Sequence, residues 1–300
     1  MVSSSRRAFL SGRTVSQSPW AAFCQRLRRD IQGVLVELDS SPGIEQGRLH
    51  PGSSADVELA RQLAIEYSVQ LALDGVPMAN PYHTGAVLYL APDHRMARCE
   101  RLDAASSLWF VQPGCLMGEL EAQGFSGLAE VNPGLTVAAW LADRRHHMWP
   151  QGFTQLSGVE HASILLADGT RANLGPFGAN NKNPLNSMRL QQMIPALFQL
   201  QATCPAHPEH YWTARYRLDA LQPDAAYGIN LAHLLLGHGG DLAWVDWLVL
   251  DQHMHALAVP QDWQWPMPQD TDVIATQDLD EAVRQWFDPA GLFSYPGQEL

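Results

Sequence analysis

Near the N-terminus the apolar residues Trp20, Phe23, Cys24, Leu27 and Ile31 recur every three to four positions, the spacing of one helical face. Ser18 stands where it can accept a free N–H of the first turn and Pro19 suits the position after it, so a helix is expected to begin there with Arg26, Arg28 and Arg29 toward solvent. A short apolar run over 33–38 predicts a strand, closed by the turn Ser41-Pro42-Gly43. Val57, Leu59, Ala60, Leu63 and Ala64 then mark a helix within 55–67. Short runs at 69–73, 86–90 and 108–111 read as strands, the first ending at Asp74-Gly75 and the last at Pro113-Gly114. A short helix over 116–123 should close at Gly124.

The second half has a different rhythm. A helix is expected over 137–142, followed by a polar stretch from Asp143 to Gly152. The runs 159–167 and 170–174, joined at Asp168-Gly169, predict a hairpin. An asparagine-rich loop over 178–184 leads to a helix over 187–201 that Pro195 should bend or restart. A short helix at 231–236, a strand at 242–250, a linker-like break at 261–272 and a final helix at 279–287 complete the pattern. Strands and helices in this order predict an α+β fold without internal repeats. The expected division is an N-terminal arm and helix (1–32), a domain of two lobes (33–126 and 127–252), and a short linker with a C-terminal helix (253–300).

Composition narrows the chemistry. With 46% apolar residues in 300, the chain can bury a sizeable core. A net charge of -12 has the wrong sign for a partner whose phosphates must be neutralised, which excludes nucleic acid. No apolar run is long enough to span a membrane, so a soluble protein is expected. Ser5-Arg6-Arg7-Ala8-Phe9-Leu10 resembles a twin-arginine export signal, but polar residues from Ser11 to Ser18 interrupt the apolar region such a signal needs. A cytoplasmic location is expected, with the periplasm as the alternative. Cys24, Cys99, Cys115 and Cys204 lack paired metal-site spacing and are expected to be buried free thiols. His253, His255, His207 and His210 lack a completing ligand, so no metal site is expected. Arg144-Arg145-His146-His147 could hold an anion or move a proton, with a solvated loop as the expected reading.

Six segments, in order, carry a resemblance. They are Pro51 to Val57 with its Asp56-Val57 step; Val69 to Pro77; Val111-Gln112-Pro113-Gly114-Cys115 with Glu119-Leu120; Thr136-Val137-Ala138-Ala139 with Gly152 and Ala167-Asp168-Gly169; Leu235 to Leu242 around Gly237-His238-Gly239-Gly240; and Phe287 to Gly297. Together they resemble the FAD-binding module of the FAD-linked oxidases of the p-cresol methylhydroxylase and vanillyl-alcohol oxidase type. The resemblance implies a two-lobed FAD-binding domain with strands 69–73 and 108–111 in one sheet, a buried strand at 242–250 in the other, and the C-terminal helix packed on the first lobe. It implies noncovalent FAD between the lobes, near Gly75, Val76, Pro113, Gly114, Ala138, Ala139, Gly152, Gly237 and Val245. The diphosphate would lie by Gly75 and Ala138-Ala139, and the adenine end by Pro113-Gly114 and the Gly237 turn. No catalytic residue is implied.

The departures from that family all weaken cofactor binding. Val76 and Pro77 stand where the family has glycines, and proline has no N–H to donate. Ala138-Ala139 replaces a glycine pair, Gly239 and Asp241 replace a glutamate and a threonine, and Asp74 stands near a usual arginine. The family's substrate domain has almost no counterpart between Leu250 and Leu279, so the cap is largely missing and the closest match in length is the small FAD-binding subunit of bacterial glycolate oxidase. A second subunit is then expected over the flavin cleft, whose exposed rim would carry Trp140, Trp149 and Trp244. Two functions remain open: FAD-dependent oxidation of a small alcohol or 2-hydroxy acid, or a noncatalytic scaffold or accessory subunit in which FAD binding is weak or lost.

Overall fold

A computed structural model of the chain describes residues 18–39, 43–76, 85–178, 185, 187–204, 212, 214–222, 228–255 and 270–293, with side chains of the last helix from 277 onward. Helix α1 (Pro19–Asp30) starts as its sequence demands: the Ser18 hydroxyl accepts the Ala21 N–H at 3.1 Å, and Trp20, Phe23, Cys24 and Leu27 form the buried face. Strand β1 (Val34–Glu37) runs antiparallel to β2 (Ile44–His50), and helix α2 (Ser54–Tyr67) crosses over to β3 (Gln70–Leu73). With β4 (Gly85–Leu90) parallel to both β2 and β3, the first sheet has the order β1-β2-β4-β3.

Asp56 fastens this sheet to the chain that enters it. Its buried carboxylate accepts the N–H groups of Gln32, Gly33 and Gly52 at 2.9, 2.8 and 2.8 Å. Gly33 is forced by the same closeness, because a Cβ there would lie 2.1 Å from the His50 carbonyl oxygen.

The second sheet is antiparallel throughout, in the order β5-β6-β11-β7-β8. Its strands are β5 (Cys99–Arg101), β6 (Leu108–Val111), β7 (Val159–Leu165), β8 (Arg171–Leu174) and, at the centre, β11 (Trp244–Asp251). Helices α3 (Met117–Ala122) and α4 (Val137–Ala142) lie between β6 and β7 in the chain. After β8 come the small antiparallel pair β9 (Pro176–Phe177) and β10 (Ile229–Asn230), and helix α5 (Met188–Ala202), which carries Pro195 in its interior. The expected hairpin is β7–β8, turned at Gly169 with φ +90° while Thr170 N–H donates to Asp168 at 2.8 Å. Each sheet has its own apolar core, and Leu165, Ala167 and Trp244 carry the first core onto the second sheet.

Several expectations are corrected. Strand β6 does not share a sheet with β3; it pairs with β5 and with β11, where Val111 faces Leu248. The short connection after β5 favours a local antiparallel partner, so a division at 126/127 cuts through the second sheet. Helix α1 belongs to the first core rather than to a separate arm. The last helix, α6 (Asp270–Phe287), begins earlier than its apolar spacing indicated and packs Val283 and Phe287 into the second core. It is the segment after α6 that reaches the first sheet. Leu71 N–H donates to Leu292 at 2.9 Å, and Phe293 bridges Leu71 in parallel. Asp288 holds that turn by accepting the N–H groups of Leu292 and Phe293 at 3.0 and 2.7 Å. Trp140, Trp149 and Trp244 are buried, not on an exposed rim. Among the described residues no helix is long and apolar enough to cross a membrane.

Replacing Asp56 by alanine leaves three buried or half-buried N–H groups without their charged acceptor. The variant should unfold with about 3 kcal/mol less free energy than the wild type in urea titration, whereas a loss below about 1 kcal/mol would show that water replaces the carboxylate.

Candidate functional site

The two sheets face each other where β3 and β4 meet the start of α4 and the turn before β11. Leu73, Ala138, His238, Gly240, Val245 and Phe293 line this seam, and the cavity left among them is about 10 Å³, room for one water. The closest approach is at Gly240, where a Cβ would stand 2.6 Å from the Leu73 Cβ and where φ is +85°. A Cβ on Gly75, with φ +83°, would lie 3.3 Å from the Ala139 Cβ.

The sequence-derived residues gather here in part. Gly75, Ala138, Ala139 and Val245 lie along the seam, Val76 is buried, and the Pro113-Gly114 turn backs onto α4. Their donors are largely engaged. Ala138 N–H donates to Pro113 at 3.0 Å, Ala139 N–H to the Thr136 hydroxyl at 3.2 Å, Gly114 N–H to Met96 at 2.8 Å and Gly237 N–H to Leu141 at 2.8 Å. Gly152 lies elsewhere, on a second cavity whose lining shares no residue with the seam. Pro77 and His83 lie outside the described residues. A dinucleotide needs a groove of several hundred Å³ and converging free N–H groups at its diphosphate. Among the described residues the seam shows no such volume, and the N–H groups of Ala138 and Ala139 are already engaged within the protein, a poor fit to FAD in this conformation.

His238, which sequence reasoning passed over as part of a turn, is the one seam side chain with chemistry. Its Nδ1 accepts Gly240 N–H at 3.2 Å, so Nε2 carries the proton, and that buried N–H has no partner among the described residues. Burial, reinforced by the charge of Arg215, pushes its pKa down to about 3, so the ring is neutral.

The second cavity, about 110 Å³, is lined by Gly152, Thr154, Glu160, Asp219, Asn230 and His233 among others. His233 Nε2 donates to the Val159 carbonyl at 2.9 Å, which leaves Nδ1 to accept the Thr154 hydroxyl at 2.9 Å; burial pushes this ring down to about 4. Burial and the Asp251 charge push the Glu160 carboxyl up.

Residues 144–147 are not a solvated loop. They form a short 3-10 helix in which Arg144, His146 and His147 are buried. Their partners come from a stretch without periodicity: Arg217 donates to the carbonyls of His147, Trp149 and Pro150 at 2.9, 2.8 and 3.3 Å while its fork holds Asp219 at 2.8 and 2.6 Å. Beside it Arg215 lies 3.1 Å from Asp241, which accepts the Tyr216 hydroxyl at 2.9 Å, and Arg215 N–H donates to Asp280 at 2.9 Å. The only signal in the sequence was the unusual density of charge in Arg215-Tyr216-Arg217-Leu218-Asp219. No group of three or more His, Cys, Asp or Glu among the described residues could hold a metal.

No family model matches the chain, and no curated protein matches it. Solved structures do. It is similar to 4-ethylphenol oxidase from Gulosibacter chungangensis, with 14% identity over 83% of this chain and 45% of that one and a TM-score of 0.46. A glucooligosaccharide oxidase from Acremonium strictum gives 16%, 80%, 43% and 0.44. A chitooligosaccharide oxidase gives 14%, 81%, 44% and 0.43. The chain thus spans less than half the length of these proteins. Likeness at this level assigns neither family nor activity.

Two outcomes test this geometry. Gly240→Ala combines a left-handed backbone with a contact against Leu73, and should lower unfolding free energy by about 3 kcal/mol in urea titration; a loss of only about 1 kcal/mol, the cost of the backbone alone, would show that the sheets are not in contact there. The pH dependence has two opposite parts. His233, at about 4 against an ordinary 6.5, contributes stability present above pH 6.5 and lost as pH falls through 4. Asp280, pushed up by burial from 3.8 to about 6, contributes stability present below 3.8 and lost as pH rises through 6. Between those limits each changes the slope of stability against pH by about 1.4 kcal/mol per unit. Thermal unfolding from pH 4.5 to 6 should therefore show stability rising less steeply with pH in His233→Asn than in wild type, and more steeply in Asp280→Asn; parallel curves would count against both assignments.

Proposed function

We propose that the chain is a noncatalytic accessory subunit built on a flavin-domain-like frame, that its own side chains fill the groove the cofactor would need, and that it acts by binding a protein partner. The observation that carries this reading is the packed seam. Leu73 and Phe293 occupy it, about 10 Å³ remains, and the N–H groups of Ala138 and Ala139 are bonded within the protein. The sequence departures at Val76, Pro77 and Ala138-Ala139 point the same way.

One observation favours a second reading, FAD-dependent oxidation of a small alcohol or 2-hydroxy acid. The turns at Pro113-Gly114, Asp168-Gly169 and Gly237 keep the order of the flavin oxidases that the sequence resembles. FAD would then be held noncovalently by the main chain near Gly75, Val76, Gly114, Ala138, Ala139 and Val245, after Leu73 and Phe293 move aside. The same protein preparation separates the two. Purified full-length chain should be colourless and leave FAD fluorescence unquenched up to about 100 µM, a binding free energy weaker than about 5.5 kcal/mol. A yellow protein with one flavin per chain would overturn the accessory reading and support the oxidoreductase.

A further inference from the structure

Cys99 and Cys115 are distant in sequence but meet in the fold. Cys99 sits on β5, the edge strand of the second sheet, opposite Val111 of β6, and is partly exposed. Cys115 lies just past the Pro113-Gly114 turn and is buried. The turn folds back on the residue before Cys99: Gln112 N–H donates to the Arg98 carbonyl at 2.9 Å, Arg98 N–H donates to the Gln112 side chain at 3.0 Å, and the Cys115 thiol lies 3.4 Å from that same carbonyl oxygen. The Cys115 thiol therefore sits beside the residue that precedes Cys99, close enough for the two thiols to influence each other. Cys24 and Cys204 have no such neighbour among the described residues.

We propose that Cys99 and Cys115 are a dithiol pair that reacts with an external small disulfide and closes to an intramolecular disulfide. The Cys99 thiolate attacks one sulfur of the external disulfide, forming a mixed disulfide and releasing one thiolate. Cys115 then loses its proton and attacks the Cys99 sulfur, so that the Cys99–Cys115 bond forms and a second thiol leaves. Two electrons and two protons pass from the protein to the external disulfide, which becomes two thiols. The roles follow from position. Cys99 is the partner that solvent reaches, and its interaction with the Cys115 thiol lowers its pKa, while that interaction and burial push Cys115 up.

The bond would matter to the seam between the sheets. Cys115 accepts Val137 N–H at 2.8 Å and Pro113 accepts Ala138 N–H at 3.0 Å, so the turn that the disulfide would pin is the one that holds the start of α4.

The test uses reduced full-length chain incubated with oxidised glutathione, followed by peptide mapping without reductant. Wild type should yield one peptide pair joined through Cys99 and Cys115, lose two titratable thiols, and recover both with dithiothreitol. Cys115→Ser should stop at glutathione on Cys99, and Cys99→Ser should leave Cys115 unmodified, with thiol loss slowed by about tenfold or more. Circular dichroism of both variants identifies any that fail to fold, and Cys99→Ser, at the partly exposed position, keeps the test decisive if Cys115→Ser does. Glutathione persisting on Cys99 in the wild type, or Cys24 and Cys204 reacting as fast as Cys99, would overturn the proposal.

Discussion

Where Leu73 lies against Gly240, the leucine side chain takes the place that any side chain on the glycine would need. Much of the seam depends on that contact. It requires the turn before β11 to stay where Gly237 N–H and Gly239 N–H donate to Leu141 and Ala142 at the end of α4, each at 2.8 Å. It also closes the space that Phe293, fixed by Asp288, then completes. The filled seam is a product of several well-made local arrangements rather than of one intruding side chain.

Behind the seam lies a network of buried charge. Arg217 supplies donors to three carbonyls of the stretch following α4, those of His147 and Trp149 in buried contacts and that of Pro150 beside its bond from Phe153 N–H. Such ion pairs add little net stability because both charges are taken out of water, but removing one partner costs about 3–5 kcal/mol. They define which arrangement of the 143–152 stretch is possible at all.

What could be read from sequence was what the chain determines locally. Helix α1, the β7–β8 hairpin and β11 followed from spacing, a capping serine and an Asp-Gly turn. The sheet to which β6 belongs did not, because its second partner, β11, lies far along the chain and leaves no local mark. The burial of Arg144 and His147 was hidden for the same reason, their partners being supplied by a stretch without periodicity. At the seam, the sequence marked the glycine turns but not what packs against them. The filling itself was illegible, since Leu73 and Phe293 read as ordinary apolar residues until the sheets are brought together.

The position of β11 sets the order in which this protein can be made. It is the central strand of the second sheet and the last of that sheet's strands in sequence, so during synthesis the β5–β6 and β7–β8 pairs emerge before the strand that unites them. Until residue 251 has left the ribosome, both pairs present open hydrogen-bonding edges to the cell. Pairings this distant make closure slow relative to hairpin formation. The nascent chain is therefore most exposed to aggregation late in its synthesis, and chaperone demand should fall sharply once β11 inserts.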